Sequence, residues 1–312
     1  MKPEIVLTTR IFPPTQAILE KEFNCHKLHE ASDREALLKE VAPRVRALAT
    51  FGAAGANPKL MDALPKLELI SNFGVGVDAI DLEAARKRGI IVTNTPDVLN
   101  DCVADTAMAL TLNVMRKYPQ AEGYLRSGYW GTRGDYPLTT SLGGKVMGVL
   151  GLGRIGEAIA RRALAFGMKI RYHNRHRKDV PYDYDADAVA LARNSDVVMV
   201  ATPGGVGTKA MVGAKVLDAL GPRGYLVNIA RGSVIDEPML LEYLQQGKIA
   251  GAGLDVFANE PRISPAFFAL DNAVVLPHVG SATNETRTAM GDLQIENLRL
   301  HFAGKPVRTR VV

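Results

Sequence analysis

The stretch Val149-Leu150-Gly151-Leu152-Gly153-Arg154-Ile155-Gly156 passes from an apolar run into Glu157-Ala158-Ile159-Ala160-Arg161-Arg162-Ala163-Leu164, a segment composed like a helix. Its G-x-G-x-x-G spacing therefore falls where a buried strand turns into a helix. In that setting Gly151 permits the tight turn, Gly153 lets backbone approach a pyrophosphate, and Gly156 lets the helix pack against its strand. Arg154 and Ile155 open the helix, whose free N–H groups and dipole favour phosphate. Glycine spacing alone also suits an ordinary βα turn, and it is the strand-turn-helix context that points to a dinucleotide.

Outward from that turn, apolar runs recur at 146–150, 168–173, 197–202, 226–229, 253–256 and 273–276, with helix-like segments between them. Six such strands predict a doubly wound parallel sheet. The first ninety residues carry a second series: strands at 5–7, 45–50, 67–70 and 90–93, helices at 15–23 and 82–88. No second glycine motif occurs there. Between the two series lies a long helix, 102–116, then a helical stretch at 121–128 and a turn-rich segment through Trp130, Gly131, Gly134 and Pro137. A last helix, 284–302, is placed to carry the chain back to the first series. The expected fold is α/β, with two Rossmann-like or flavodoxin-like doubly wound domains, the nucleotide domain (99–284) inserted into a substrate domain (1–98 plus 285–312).

Composition narrows the class. The chain has 312 residues, 47% hydrophobic and 23% charged, enough for two sizeable cores. It has no apolar run of membrane-spanning length and no cleavable leader pattern, so the expectation is a cytoplasmic protein. Cys25 and Cys102 are too few and too distant for a disulfide framework or a common zinc pattern, and no metal is expected. The net charge of +5 raises nucleic acid as a partner. However, the densest basic cluster, Arg171-Tyr172-His173-Asn174-Arg175-His176-Arg177-Lys178, follows the second strand of the nucleotide series, where the adenosine end of a dinucleotide would lie. Cofactor recognition there competes with a merely solvated loop, and no nucleic-acid partner is expected.

At that position NAD-binding chains use Asp or Glu to accept from the ribose hydroxyl. No acid occurs between Arg171 and Lys178. Arg175, with Arg177 and Asn174 as further donors, would attract a 2′-phosphate, so NADP(H) is expected in preference to NAD(H).

Three polar residues stand just beyond later strands. Arg231 follows Leu226-Val227-Asn228-Ile229-Ala230, Glu260 follows Leu254-Asp255-Val256-Phe257-Ala258-Asn259, and His278 follows Val274-Val275-Leu276-Pro277. Open α/β sheets place their ligand crevice at such strand ends. Each residue alone reads as a solvated arginine, a turn acid or a structural histidine. Together they suit reduction of a 2-oxo acid: a guanidinium grips the carboxylate and polarises the ketone, while a carboxylate beside a histidine favours the imidazolium that delivers the proton.

These motifs, taken in order, resemble the D-specific 2-hydroxyacid dehydrogenase family. The resemblance rests on the glycine turn, Asn228-Ile229-Ala230-Arg231-Gly232, Leu254-Asp255-Val256-Phe257 with Asn259-Glu260-Pro261, and Leu276-Pro277-His278-Val279-Gly280-Ser281. It extends to Phe73-Gly74-Val75-Gly76-Val77-Asp78 and to Val103-Ala104-Asp105, and so covers nearly the whole chain. It implies that Arg231 binds and polarises the substrate, Glu260 orients His278, and His278 is the acid/base. Val75 and Gly76 would offer N–H groups to the substrate carboxylate. Asp255 would hold the nicotinamide carboxamide, Thr202-Pro203 would line the cofactor cleft, and Thr106 on the connecting helix would also face the cofactor. A homodimer formed through the nucleotide domains is implied, with the two domains of each chain closing over a cleft. Trp130 reads equally as a neighbour of the partner subunit's substrate or as a hydrophobic anchor.

Within the family the basic turn, Arg126-Ser127-Gly128 with Trp130, and Leu138-Thr139-Thr140 look most like the glyoxylate/hydroxypyruvate reductases and their hydroxyphenylpyruvate reductase relatives. The segment Pro203-Gly204-Gly205-Val206-Gly207-Thr208 departs from the family's usual proline-rich turn. The expectation is NADPH-dependent reduction of glyoxylate or hydroxypyruvate to the D-2-hydroxy acid. The alternatives are an aryl-pyruvate reductase on the same scaffold and, in another class, an NAD(P)-sensing corepressor-like binding protein.

Overall fold

A computed structural model describes residues 2–312 and divides them into two units, one of 2–99 with 282–312 and one of 100–281. The first unit runs β1 (Glu4–Leu7), α1 (Pro13–Glu22), β2 (Asn24–Lys27), α2 (Arg34–Val41), β3 (Ala47–Phe51), α3 (Pro58–Asp62), β4 (Leu69–Phe73), α4 (Leu82–Lys87) and β5 (Ile91–Thr93). Helix α1 opens on Pro13 and Pro14, and α2, α3 and α4 begin where short polar side chains supply the missing acceptor. Asp33, Asn57 and Asp81 accept from Ala36, Leu60 and Ala84 N–H at 2.9, 2.9 and 2.8 Å. The five parallel strands lie in the order β2-β1-β3-β4-β5, the flavodoxin-like order.

The second unit continues with α5 (Asn100–Arg116), α6 (Tyr118–Arg126), α7 (Tyr129–Arg133), β6 (Val146–Leu150), α8 (Arg154–Ala165), β7 (Lys169–His173), β8 (Asp183–Tyr184), α9 (Ala188–Arg193) and β9 (Val197–Val200). Then follow α10 (Ala214–Leu220), β10 (Tyr225–Asn228), α11 (Glu237–Gln245), β11 (Gly251–Leu254) and β12 (Ala273–Val275). The order β12-β11-β10-β9-β6-β7-β8 is that of a Rossmann sheet, with the chain reversing direction across the sheet between β6 and β9. The final helix, α12 (Asn284–Phe302), belongs to the first unit. It sets the fully buried Gln294 against β3 and β4, where its amide donates to Ser71 O at 2.9 Å.

The register of the second sheet decides where function can sit. His173 is level with Leu150, Leu150 with Val200, Val200 with Asn228, Asn228 with Leu254, and Leu254 with Val275. All these strands are parallel, so the turns leaving them open side by side along one edge. The glycine turn, the basic turn, Thr202, Arg231, the approach to Glu260 and the approach to His278 all lie beyond that edge.

Five elements differ from the sequence reading. The strand β2, Asn24-Cys25-His26-Lys27, carries no apolar run, because it is an edge strand whose side chains are exposed or half-buried. The two-residue edge strand β8 is too short to show a period. Helix α2 forms between 23 and 45 and α3 between 50 and 67, where no helix is read from the sequence, and α7 forms within the stretch read as turns.

Candidate active site

Arg231 is delivered by a constrained exit from β10. Asn228 closes the strand with no exposure, and its amide nitrogen donates to Arg231 O at 3.0 Å while its oxygen accepts from Ala230 N at 3.0 Å. The next residue, Gly232, lies so close to β11's exit that a Cβ there would fall 1.9 Å from Phe257 C and 2.2 Å from Ala258 N. The two loops are thereby pressed together, backbone to backbone.

Glu260 is held on the second of them. Its Oε1 accepts from Phe257 N at 2.9 Å and its Oε2 lies 2.6 Å from His278 Nδ1. Burial opposes ionisation of this carboxyl, but the hydrogen bonds from His278 and Phe257 and the charges of His278 and Arg231 outweigh it. The group sits below its ordinary value. An ionised carboxylate only accepts, so Nδ1 of His278 carries the hydrogen and Nε2 is left as the nitrogen that meets solvent or substrate. The adjacent Ala258 N–H goes to a different acid, donating to Glu237 Oε2 at 2.7 Å.

His278 adopts φ +54°, a left-handed conformation uncommon for a side-chain-bearing residue. Asp255 secures it. The Asp255 carbonyl accepts from His278 N at 2.9 Å, and its carboxylate oxygens accept from Val279 N at 2.7 Å and Gly280 N at 2.8 Å. Only 1% of Asp255 is exposed, and this burial pushes its carboxyl above its ordinary value despite the two N–H donors. Structurally, then, Asp255 is the fastening of the histidine loop, a duty the resemblance did not assign to it.

The glycine turn fits a dinucleotide. A Cβ on Gly151, whose φ is +101°, would fall 2.6 Å from Thr202 N, and one on Gly156 would fall 2.4 Å from Gly151 O. Both glycines are demanded by packing. At Gly153 a Cβ would meet no protein atom within 4 Å. That open backbone, at the N-cap of the 12-residue α8, is the cradle a pyrophosphate needs, with Arg154 exposed and Ile155 half-buried beside it. Pro203 is exposed next to Thr202, and Thr106 on α5 donates to Cys102 O at 3.2 Å and Gly280 O at 3.5 Å.

The basic cluster divides into fastened and presented residues. Arg171 is taken up by Asp185 at 2.8 and 3.0 Å and by Asp183 at 3.0 Å, and His173 Nδ1 lies 2.9 Å from Asp185 O. Asn174, read from the sequence as a phosphate donor, is turned inward. Its oxygen accepts from Leu152 N at 2.7 Å and its nitrogen donates to Leu152 O at 3.3 Å. The short amide reaches the neighbouring glycine turn because Leu150 and His173 are level. Arg175, His176 and Arg177 are exposed and form no hydrogen bond or ion pair among the described residues.

In the first unit, Gly74-Val75-Gly76 follows β4 with its carbonyls occupied. Asn72 donates to Gly74 O at 3.1 Å and Gly76 O at 3.0 Å, and Asn94 to Val75 O at 2.9 Å. The N–H groups of Val75 and Gly76 enter no hydrogen bond among the described residues, as a carboxylate-binding backbone requires. Trp130 is 62% exposed and its indole donates to Asp135 Oδ1 at 3.2 Å. Among the described residues no group of three or more His, Cys, Asp or Glu is gathered to hold a metal ion.

Asn228, Glu237, Asn72 and Asn94 escaped the sequence reading. The available signal was a polar residue in the last two positions of an otherwise buried strand, which for Asn72 and Asn228 is visible in the sequence.

A Rossmann sheet carrying a guanidinium and a carboxylate–imidazole pair beyond neighbouring strands has the equipment of a nicotinamide-dependent oxidoreductase. The chain belongs to the D-isomer-specific 2-hydroxyacid dehydrogenases, whose NAD-binding domain model matches residues 108–280. It is 46% identical over 295 residues to a glyoxylate/hydroxypyruvate reductase of Arabidopsis thaliana, covering 94% of both chains. The same figures hold for a hydroxyphenylpyruvate reductase of Plectranthus scutellarioides. Among solved structures, an NADPH-dependent glyoxylate/hydroxypyruvate reductase of Sinorhizobium meliloti, in complex with NADP and malonate, superposes with a TM-score of 0.94 at 45% identity. That match covers 100% of this chain and 97% of the other.

Proposed function

We propose that this chain reduces small 2-oxo acids, glyoxylate and hydroxypyruvate foremost, to D-2-hydroxy acids with NADPH. The observation that carries the reading is the Glu260–His278 pair at 2.6 Å, set beside Arg231 by loops that touch. NADPH, when bound, supplies the hydride. Arg231 grips the substrate carboxylate and draws electron density toward the ketone oxygen. His278 Nε2 delivers a proton to that oxygen, and Glu260 holds the ring and compensates its charge. In the reverse direction the same nitrogen takes the proton from the hydroxyl.

The N–H groups of Val75 and Gly76 are proposed to receive the substrate carboxylate. Gly151, Gly153, Arg154, Ile155, Gly156, Thr202, Pro203, Thr106 and Asp255 are proposed to border the dinucleotide. Arg175 and Arg177, exposed on the turn after β7, are proposed to take the 2′-phosphate, and the NADP complex of the Sinorhizobium meliloti relative supports that preference, NAD(H) remaining the weaker cofactor. A homodimer in the cytoplasm completes the proposal. No helix among the described residues is long and apolar enough to cross a membrane.

The test is oxidation of NADPH and of NADH against glyoxylate, hydroxypyruvate, pyruvate and aryl pyruvates. The expected result is fastest turnover with NADPH and one of the first two acids. Preference for hydroxyphenylpyruvate would select the second reading, which the Plectranthus scutellarioides relative supports. Binding of cofactor with no reduction of any acid would replace both with a sensor.

A further inference from the structure

Leu152, the middle residue of the glycine turn, has both backbone polar groups held by side chains from the basic turn. Asn174 takes its N–H at 2.7 Å and reaches its carbonyl at 3.3 Å, and Lys178 Nζ donates to the same carbonyl at 3.3 Å. Lys178 is itself built in. The hydroxyl of the fully buried Tyr172 accepts from Lys178 N at 2.9 Å and donates to Lys178 O at 3.0 Å, fixing the lysine backbone at the far stem of the turn.

The ammonium of Lys178 also pairs with Glu157. Glu157 is the acid in the first turn of α8, where a negative charge suits the helix dipole but opposes an arriving pyrophosphate. Lys178 cancels that charge and at the same time braces the loop whose backbone cradles the phosphates. Its ammonium is directed at the glycine turn and Glu157, whereas Arg175 and Arg177 are exposed.

We infer that Lys178 is a positioning residue for the dinucleotide as a class: it sets affinity for NADPH and NADH alike, leaving the choice between them to Arg175 and Arg177. The inference rests on the cofactor reading proposed above. Cofactor titrations, followed by protein and nucleotide fluorescence, compare the unaltered chain with Lys178→Met, Lys178→Arg, Arg175→Ala and the double variant Lys178→Met/Glu157→Gln. Lys178→Met is expected to weaken NADPH and NADH by a similar factor, about tenfold, the size of one partly screened charge interaction. Lys178→Arg should keep affinity, and Glu157→Gln should recover most of the loss. Arg175→Ala should weaken NADPH alone.

A loss confined to NADPH in Lys178→Met would make the lysine a phosphate ligand and overturn the inference. Unchanged affinity for both nucleotides, or no recovery in the double variant, would do the same. Lys178→Gln, compared at matched melting temperature, serves if the methionine variant folds poorly. The cofactor reading fails separately, if the unaltered chain binds NADH better than NADPH.

Discussion

At His278 one backbone angle, φ +54°, is imposed by a neighbour rather than chosen by the residue. Asp255 imposes it by accepting three successive N–H groups, those of His278, Val279 and Gly280. Asp255→Asn keeps the shape but turns one acceptor into a donor facing an N–H. A buried mismatch of that kind costs about 1–3 kcal/mol. Thermal melting should show the loss, and turnover should fall with it. His278→Gln removes the proton donor and leaves the loop intact, so kcat should drop about 10²–10⁴-fold while the NADPH dissociation constant stays near its original value. Unchanged turnover would remove His278 from the mechanism.

The Glu260 carboxyl, held below its ordinary value, defines an acid limit. Its contribution to stability is complete above the ordinary carboxylate range, about pH 4.3, and is lost as pH falls through the lowered folded value. Melting temperatures of the unaltered chain and of Glu260→Gln, measured from pH 7 downward, should therefore converge below that range. A gap that does not narrow at all as pH falls would contradict the assignment. At this scale Arg231, Glu260 and His278 were legible because their residue types, just beyond apolar runs, define one chemistry. The inward turn of Asn174 toward Leu152 was not legible, because sequence shows which donors a turn contains and not which way they face.

At the scale of elements, the loops leaving β10 and β11 behave as one support. Gly232 abuts Phe257 and Ala258, and Ala258 is tied to Glu237 at the start of α11. Gly232→Ala forces a methyl into backbone, a strain of about 1–3 kcal/mol if the loops part. They part along the line that separates Arg231 from Glu260, so kcat/KM should fall more steeply than the melting temperature does, as paired kinetics and calorimetry would show. The strands that carry these loops were readable as buried runs, Tyr225–Asn228 among them. The edge strand β2 was not, because a strand with one neighbour and a solvated face needs no apolar run.

At the scale of the molecule, the nucleotide unit is inserted within the first unit's sequence, and each unit has its own parallel sheet. The second unit leaves Tyr118 and Leu125 on α6, Trp130 on α7, and Leu138 beyond it 44%, 57%, 62% and 101% exposed. These exposed apolar side chains are offered in support of the proposed homodimer. Sedimentation velocity should give a dimer, and Leu125→Asp should shift it to a monomer. A monomeric unaltered chain at micromolar concentration would refute the contact.

The G-x-G-x-x-G turn, the buried strands of the two series and the three residues beyond the later strands follow from the sequence by itself, since local periodicity and residue chemistry are written along the chain. Tertiary structure alone decided which donors of the basic turn face outward, that Leu152 is gripped from two sides, and that Asp255 fastens His278. Those are contacts between residues 20 or more positions apart. They arise because the strands end level along one edge, and that register comes from packing the whole sheet.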